Sequence, residues 1–117
     1  MLSNYETLPI LNEDAFRSWL SNNIIAKPDL KDIFLCFYRD AENCIAKLHS
    51  AAEINSLTDF IHYCHALKSI ALNMHAIRLS KMARDGENYT HMTSADVLLN
   101  SIKSCYEQTK QQMENIE

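Results

Sequence analysis

The apolar positions of this chain fall into five stripes at helical spacing, separated by short polar or irregular stretches. Residues 1–11 precede the first stripe and read as an irregular arm. Asn12 can cap a short helix, with Glu13 and Asp14 in its first turn, where the helix dipole favours acids. Phe16, Trp19 and Leu20 form its apolar edge, and Ser21, Asn22 and Asn23 end it. A second helix is predicted from near Pro28, a residue suited to a first helical turn, to about residue 51. Its stripe is Leu30, Ile33, Phe34, Phe37, Ala41, Cys44, Ile45, Leu48 and Ala52, and a turn follows near Asn55.

The third helix is predicted to start at Ser56, with Asp59 three residues on in a capping-box-like arrangement. Leu57, Phe60, Ile61, Cys64, Leu67 and Ala71 are its inward face. The pattern blurs at Asn73, Met74 and His75, which predicts a break. A fourth helical piece follows, with Ala76, Leu79, Met82 and Ala83 inward. Gly86, the only glycine, lies in Asp85-Gly86-Glu87-Asn88 and reads as its terminator. The last helix opens at Thr93 or Ser94, with Asp96 near its start. Leu98, Leu99, Ile102, Cys105, Tyr106, Thr109 and Met113 repeat along it. Short connections between long helices imply antiparallel neighbours. The expected fold is therefore all-α: an antiparallel up-and-down four-helix bundle with a short N-terminal helix, forming one domain over residues 12–117.

Composition narrows the picture. The chain has 117 residues, room for one domain, and a single Gly and two Pro argue against an all-β or a disordered chain. The net charge of −4 gives no basic footprint for nucleic acid. No stretch approaches the roughly 18 apolar residues of a membrane span, and no signal peptide is visible, so the expected location is the cytoplasm. Cys44, Cys64 and Cys105 lie on apolar stripes and Cys36 in an apolar run beside one. All read as small hydrophobes of a reducing compartment. Charge is uneven: from His65 to Arg84 there are Lys68, Arg78, Lys81 and Arg84 and no acid, a candidate positive field for a phosphate or an acidic partner.

The third helix carries the candidate chemistry. His65 lies roughly 110° from the centre of the apolar stripe, hence on the exposed side. Thr58, His62, Ser69 and Leu72 occupy neighbouring parts of that surface, and Lys68 is one turn along. An imidazole nitrogen attacks phosphorus only when neutral, as ordinary histidines largely are near pH 7. A helix fixes its position, which suits phosphoryl transfer, a reaction governed by alignment and charge stabilisation. Lys68 can supply that charge, and the small Ser69 leaves room for a partner to approach. Taken singly, each feature is commonplace; together they converge on one patch.

His65-Ala66-Leu67-Lys68-Ser69, followed by Ala76 and Leu79, resembles the signature of the histidine phosphotransfer family. The layout is similar to that of stand-alone bacterial members in quorum-sensing relays. The resemblance implies that His65 is phosphorylated, that Lys68 is the supporting cation, and that Ser69 replaces a glycine. It implies a phosphoryl carrier rather than an autonomous kinase or hydrolase, passing the group between receiver-domain aspartates of response regulators or a hybrid sensor kinase. Magnesium would sit in the receiver's acidic pocket, with no cofactor on this chain. The receiver is expected to dock over His62, His65, Ser69 and Leu72, beside Thr58, with Lys68 and some of Arg78, Lys81 and Arg84 facing its acids. His75 stands where the family often has a second glycine, and its bulk is expected to shift the turn after residue 72. Two other readings stand beside this one. A metal could bridge His62 and His65, although zinc-ligand spacings are absent. Alternatively, the bundle is an adaptor that binds a signalling partner without being phosphorylated.

Overall fold

The computed structural model describes residues 5–23 and 27–116, with side chains of the second segment from residue 29 onward. Residues 1–4 of the expected arm and Glu117 lie outside the described residues. Among the described residues there are five α-helices, one 3-10 turn (Tyr5–Thr7) and no strand. The helices are α1 (Glu13–Asn22), α2 (Lys27–Glu53), α3 (Leu57–Asn73), α4 (Ile77–Glu87) and α5 (Ala95–Ile116).

Local chemistry accounts for the ends. Asn12 Oδ1 accepts from the Ala15 N–H at 3.1 Å and starts α1. Ser56 Oγ accepts from the Asp59 N–H at 3.2 Å and starts α3. The Ser56 N–H itself donates to Ala51 O at 2.9 Å, so the reciprocal half of a capping box is not made. That bond belongs to the turn closing α2, in which Asn55 has φ 56°. The turn closing α3 repeats the geometry: His75 has φ 58°, Ala76 N–H donates to Ala71 O at 3.0 Å, and His75 N–H to Leu72 O at 3.1 Å. Both are Schellman turns with a side-chain-bearing residue in the left-handed slot where glycine is customary.

Helices α2, α3, α4 and α5 form a closed ring in which α2 and α4 each pack against both α3 and α5. Phe34, Leu48, Phe60, Leu67, Leu79, Leu98, Ile102 and Met113 are fully buried at its centre. Each such side chain contributes about 1.5–3 kcal/mol of transfer free energy. The four-helix bundle expected from the stripes is therefore the observed one. Helix α1 lies at the end where α2 begins and α3 turns into α4. Its Phe16 stacks on Phe34 (5.6 Å between centroids) and meets the His75 ring edge-on (6.4 Å). Gln112 of α5 donates to Glu13 at 3.1 Å.

Four expectations are corrected or sharpened. The irregular arm is docked along the bundle. Tyr5 and Leu11 are buried, Tyr5 Oη donates to Asp85 at 2.5 Å, and the Asn12 N–H donates to His75 O at 2.9 Å. The arm thus runs along α4 from its C-terminal end to its start. Cys36 is exposed, whereas Cys44, Cys64 and Cys105 are buried; an apolar run is not an inward face when it exceeds the width of the stripe. Helix α4 ends within Asp85-Gly86-Glu87-Asn88 as expected, but not through a left-handed turn at Gly86. Gly86 lies inside the helix with negative φ, and Asn88 is the C-cap. His75 sits at the centre of the turn after residue 72. It takes the left-handed conformation itself and turns its ring toward Phe16.

Candidate functional site

Helix α3 sets the sidedness of the site. Phe60, Cys64, Leu67 and Ala71 are sealed in the core, which turns the opposite edge outward. Thr58, His62, His65, Ser69 and Leu72 are all exposed along that edge, at alternating steps of four and three residues. The His65 side chain is 65% exposed, open enough for a second macromolecule to reach its ring. Ser69 Oγ folds back on His65 O at 3.3 Å, so nothing bulky stands over the imidazole from the next turn. His62 packs edge-on against Tyr63, with 4.8 Å between ring centroids.

The third member of the site comes from α4. The Glu87 carboxylate contacts His65 Nδ1 through Oε2 and pairs with Lys68 Nζ, at 2.8 Å to Oε1 and 3.0 Å to Oε2. Residues 65 and 68 are one turn apart on α3, so a single carboxylate can span both. The Lys68 hydrogen bond, then that of His65, holds the Glu87 carboxyl below its usual range. It is therefore ionised near neutral pH and can only accept. The hydrogen between it and His65 must sit on Nδ1, so in the neutral ring the outer nitrogen, Nε2, keeps its lone pair. Beneath the site, Cys64 is the opposite of a reactive thiol: burial, helped by the Glu87 charge, pushes its pKa up to about 12.

Glu87 is the member of this candidate site that the sequence reading missed, absorbed into a terminator motif. Counting outward from the turn at 74–76, the antiparallel partner of residue 65 falls near residue 85. The acids at 85 and 87 were thus the detectable signal.

The expected positive field is largely cancelled. Lys68 is matched by Glu87, and Lys81 pairs with Asp85 at 2.6 Å. Arg78 is committed to the arm: Nη2 donates to Leu8 O at 2.7 Å and Glu6 O at 3.3 Å, and Nε to Leu8 O at 3.0 Å. It also sits about 13 Å along α4 from Glu87. Arg78 thus clamps the arm and stands away from Glu87. Arg84 is exposed one turn before Glu87, with no ion-pair partner among the described residues. No group of three or more His, Cys, Asp and Glu side chains among the described residues could hold a metal ion. Nor is any described helix long and apolar enough to cross a membrane. The chain matches no protein-family model, no curated protein and no solved structure, so its function has to be argued from these residues alone.

Proposed function

We propose that this chain is a histidine phosphotransfer protein that carries a phosphoryl group on Nε2 of His65 between receiver-domain aspartates. The observation that supports it is an exposed imidazole whose inner nitrogen is occupied by a carboxylate and whose outer nitrogen is not. In the forward step the Nε2 lone pair attacks the phosphorus of an aspartyl phosphate. The N–P bond forms, the bond from phosphorus to the bridging aspartyl oxygen breaks, and the aspartate leaves as carboxylate with the electron pair. The ring becomes a phosphorylated imidazolium, and Glu87 facing Nδ1–H stabilises the positive charge as it develops. Lys68 has three N–H donors and can turn one toward the phosphate oxygens while remaining paired with Glu87. A second receiver's carboxylate attacks phosphorus in the onward step and regenerates neutral His65. Leu72, 50% exposed, and Ser69 offer an apolar, low-relief surface beside the ring for the receiver, with Arg84 at its edge. The magnesium ion of such a reaction would belong to the receiver.

The test uses two donors: a receiver domain charged with labelled phosphate, and labelled phosphoramidate, which needs no protein partner. Base-stable, acid-labile label on one residue of the wild-type chain, and none on His65→Gln, is the expected result. Label that ignores the substitution, or no label from either donor, overturns the proposal. Partner binding and signalling that both survive His65→Gln would favour the adaptor reading.

A further inference from the structure

Gly86 has no backbone reason to be glycine. Its φ is not positive, and it lies inside α4, where glycine costs about 1 kcal/mol relative to alanine. The reason is steric. A Cβ at residue 86 would stand 2.4 Å from Cys64 Sγ, 3.0 Å from Leu98 Cδ2 and 3.3 Å from Phe60 Cε2. Helices α3 and α4 pack here with no room for a side chain at residue 86. The two contact residues each immediately precede a member of the site: Cys64 before His65, Gly86 before Glu87. The spacing at 64 and 86 therefore sets the spacing at 65 and 87.

We propose that Gly86 is a positioning residue, whose missing side chain brings α4 close enough to α3 for Glu87 to span His65 and Lys68. Restoring an ordinary 3.4 Å contact against a Cβ would need a displacement of about 1 Å. The Lys68–Glu87 bonds, at 2.8 and 3.0 Å, would then pass beyond hydrogen-bonding length. Cys64 and Phe60 are fully buried and Leu98 lies in the same core, so the strain is not absorbed at the surface. The functional consequence rests on the reading of His65 as the phosphoryl carrier; the geometric claim does not.

The experiment is nitrogen-15 NMR of the imidazoles in the full chain, with carbon-13 titration of the Glu87 carboxyl. The wild type should show His65 protonated on Nδ1. Glu87→Gln should lose that preference. Gly86→Ala should resemble Glu87→Gln at His65, and its Glu87 carboxyl should titrate back toward 4.5, its ordinary value. Removing the obstructing sulfur as well, in Cys64→Ala/Gly86→Ala, should restore both signatures, and Cys64→Ala alone should keep them. Cys64→Val, which crowds the same contact from α3, gives a second route if Gly86→Ala does not fold. A Gly86→Ala or Cys64→Val protein that is less stable yet keeps the wild-type tautomer and Glu87 titration overturns the proposal. So does a folded double variant that fails to recover them. Phosphoramidate loading adds a separate arm, expected to fall about tenfold or more in Gly86→Ala and to recover in the double variant. If the wild type itself does not load, the carrier reading fails while the NMR arm still decides the role of Gly86.

Discussion

At the scale of single residues, the decisive group is the Glu87 carboxylate. It binds the ammonium of Lys68 and the Nδ1 side of His65, and its pKa is lowered by both. A carboxyl whose folded pKa lies below its unfolded one contributes stability above the unfolded value and loses it as pH falls through the folded one. The stability difference between the wild type and Glu87→Gln should therefore be present well above the carboxyl's unfolded value. It should shrink below 4.5, as urea midpoints measured at each pH would show. Lys68→Ala should move the Glu87 titration up toward 4.5, because it removes the larger cause of the shift. A Glu87 carboxyl that titrates at its ordinary value in the wild type would contradict the described pairing. The exposure of His65 was legible in the sequence, since the sealed stripe of Phe60, Cys64 and Leu67 leaves a ring at position 65 only the outer side. Its carboxylate partner was not, because 22 residues of chain separate the two.

At the scale of elements, the α3–α4 hairpin depends on the turn at His75. A residue with a Cβ in the left-handed slot pays a conformational penalty of about 1 kcal/mol that glycine avoids. His75 offsets part of this with its edge-on contact to Phe16. His75→Ala keeps the penalty and loses the ring, whereas His75→Gly loses both. The glycine variant should accordingly be more stable than the alanine variant by about 1 kcal/mol, measured by urea unfolding. Equal stabilities would mean the turn relaxes away from the left-handed region. The break itself was readable in the blurred pattern at 73–75. Its geometry was not, because a hydrophobic stripe reports which side faces inward and says nothing about the φ of the residue between stripes.

At the scale of the whole molecule, the arm and α1 close what the bundle leaves open. Tyr5 and Leu11 bury against the body of the protein, and Arg78 holds the carbonyls of Leu8 and Glu6. Arg78→Ala should free this segment at a cost of about 1–3 kcal/mol. Proteolysis between residues 5 and 11 should quicken, while the His65 tautomer stays unchanged, because Arg78 is remote from Glu87 along α4. Unaltered protease sensitivity would show that Tyr5 and Leu11 hold the arm without it.

The sequence by itself determined the helices, their inward faces and the outward edge that carries Thr58, His62, His65, Ser69 and Leu72. These follow from a periodicity that repeats every few residues and needs no distant partner. Only the tertiary structure decided that Glu87 occupies His65 and Lys68, that Gly86 is a contact and not a stop, and that Arg78 serves the arm. Each of these depends on the register between segments far apart in the chain. That register is set by turn geometry and side-chain volume at the points where helices touch, and no local pattern records it.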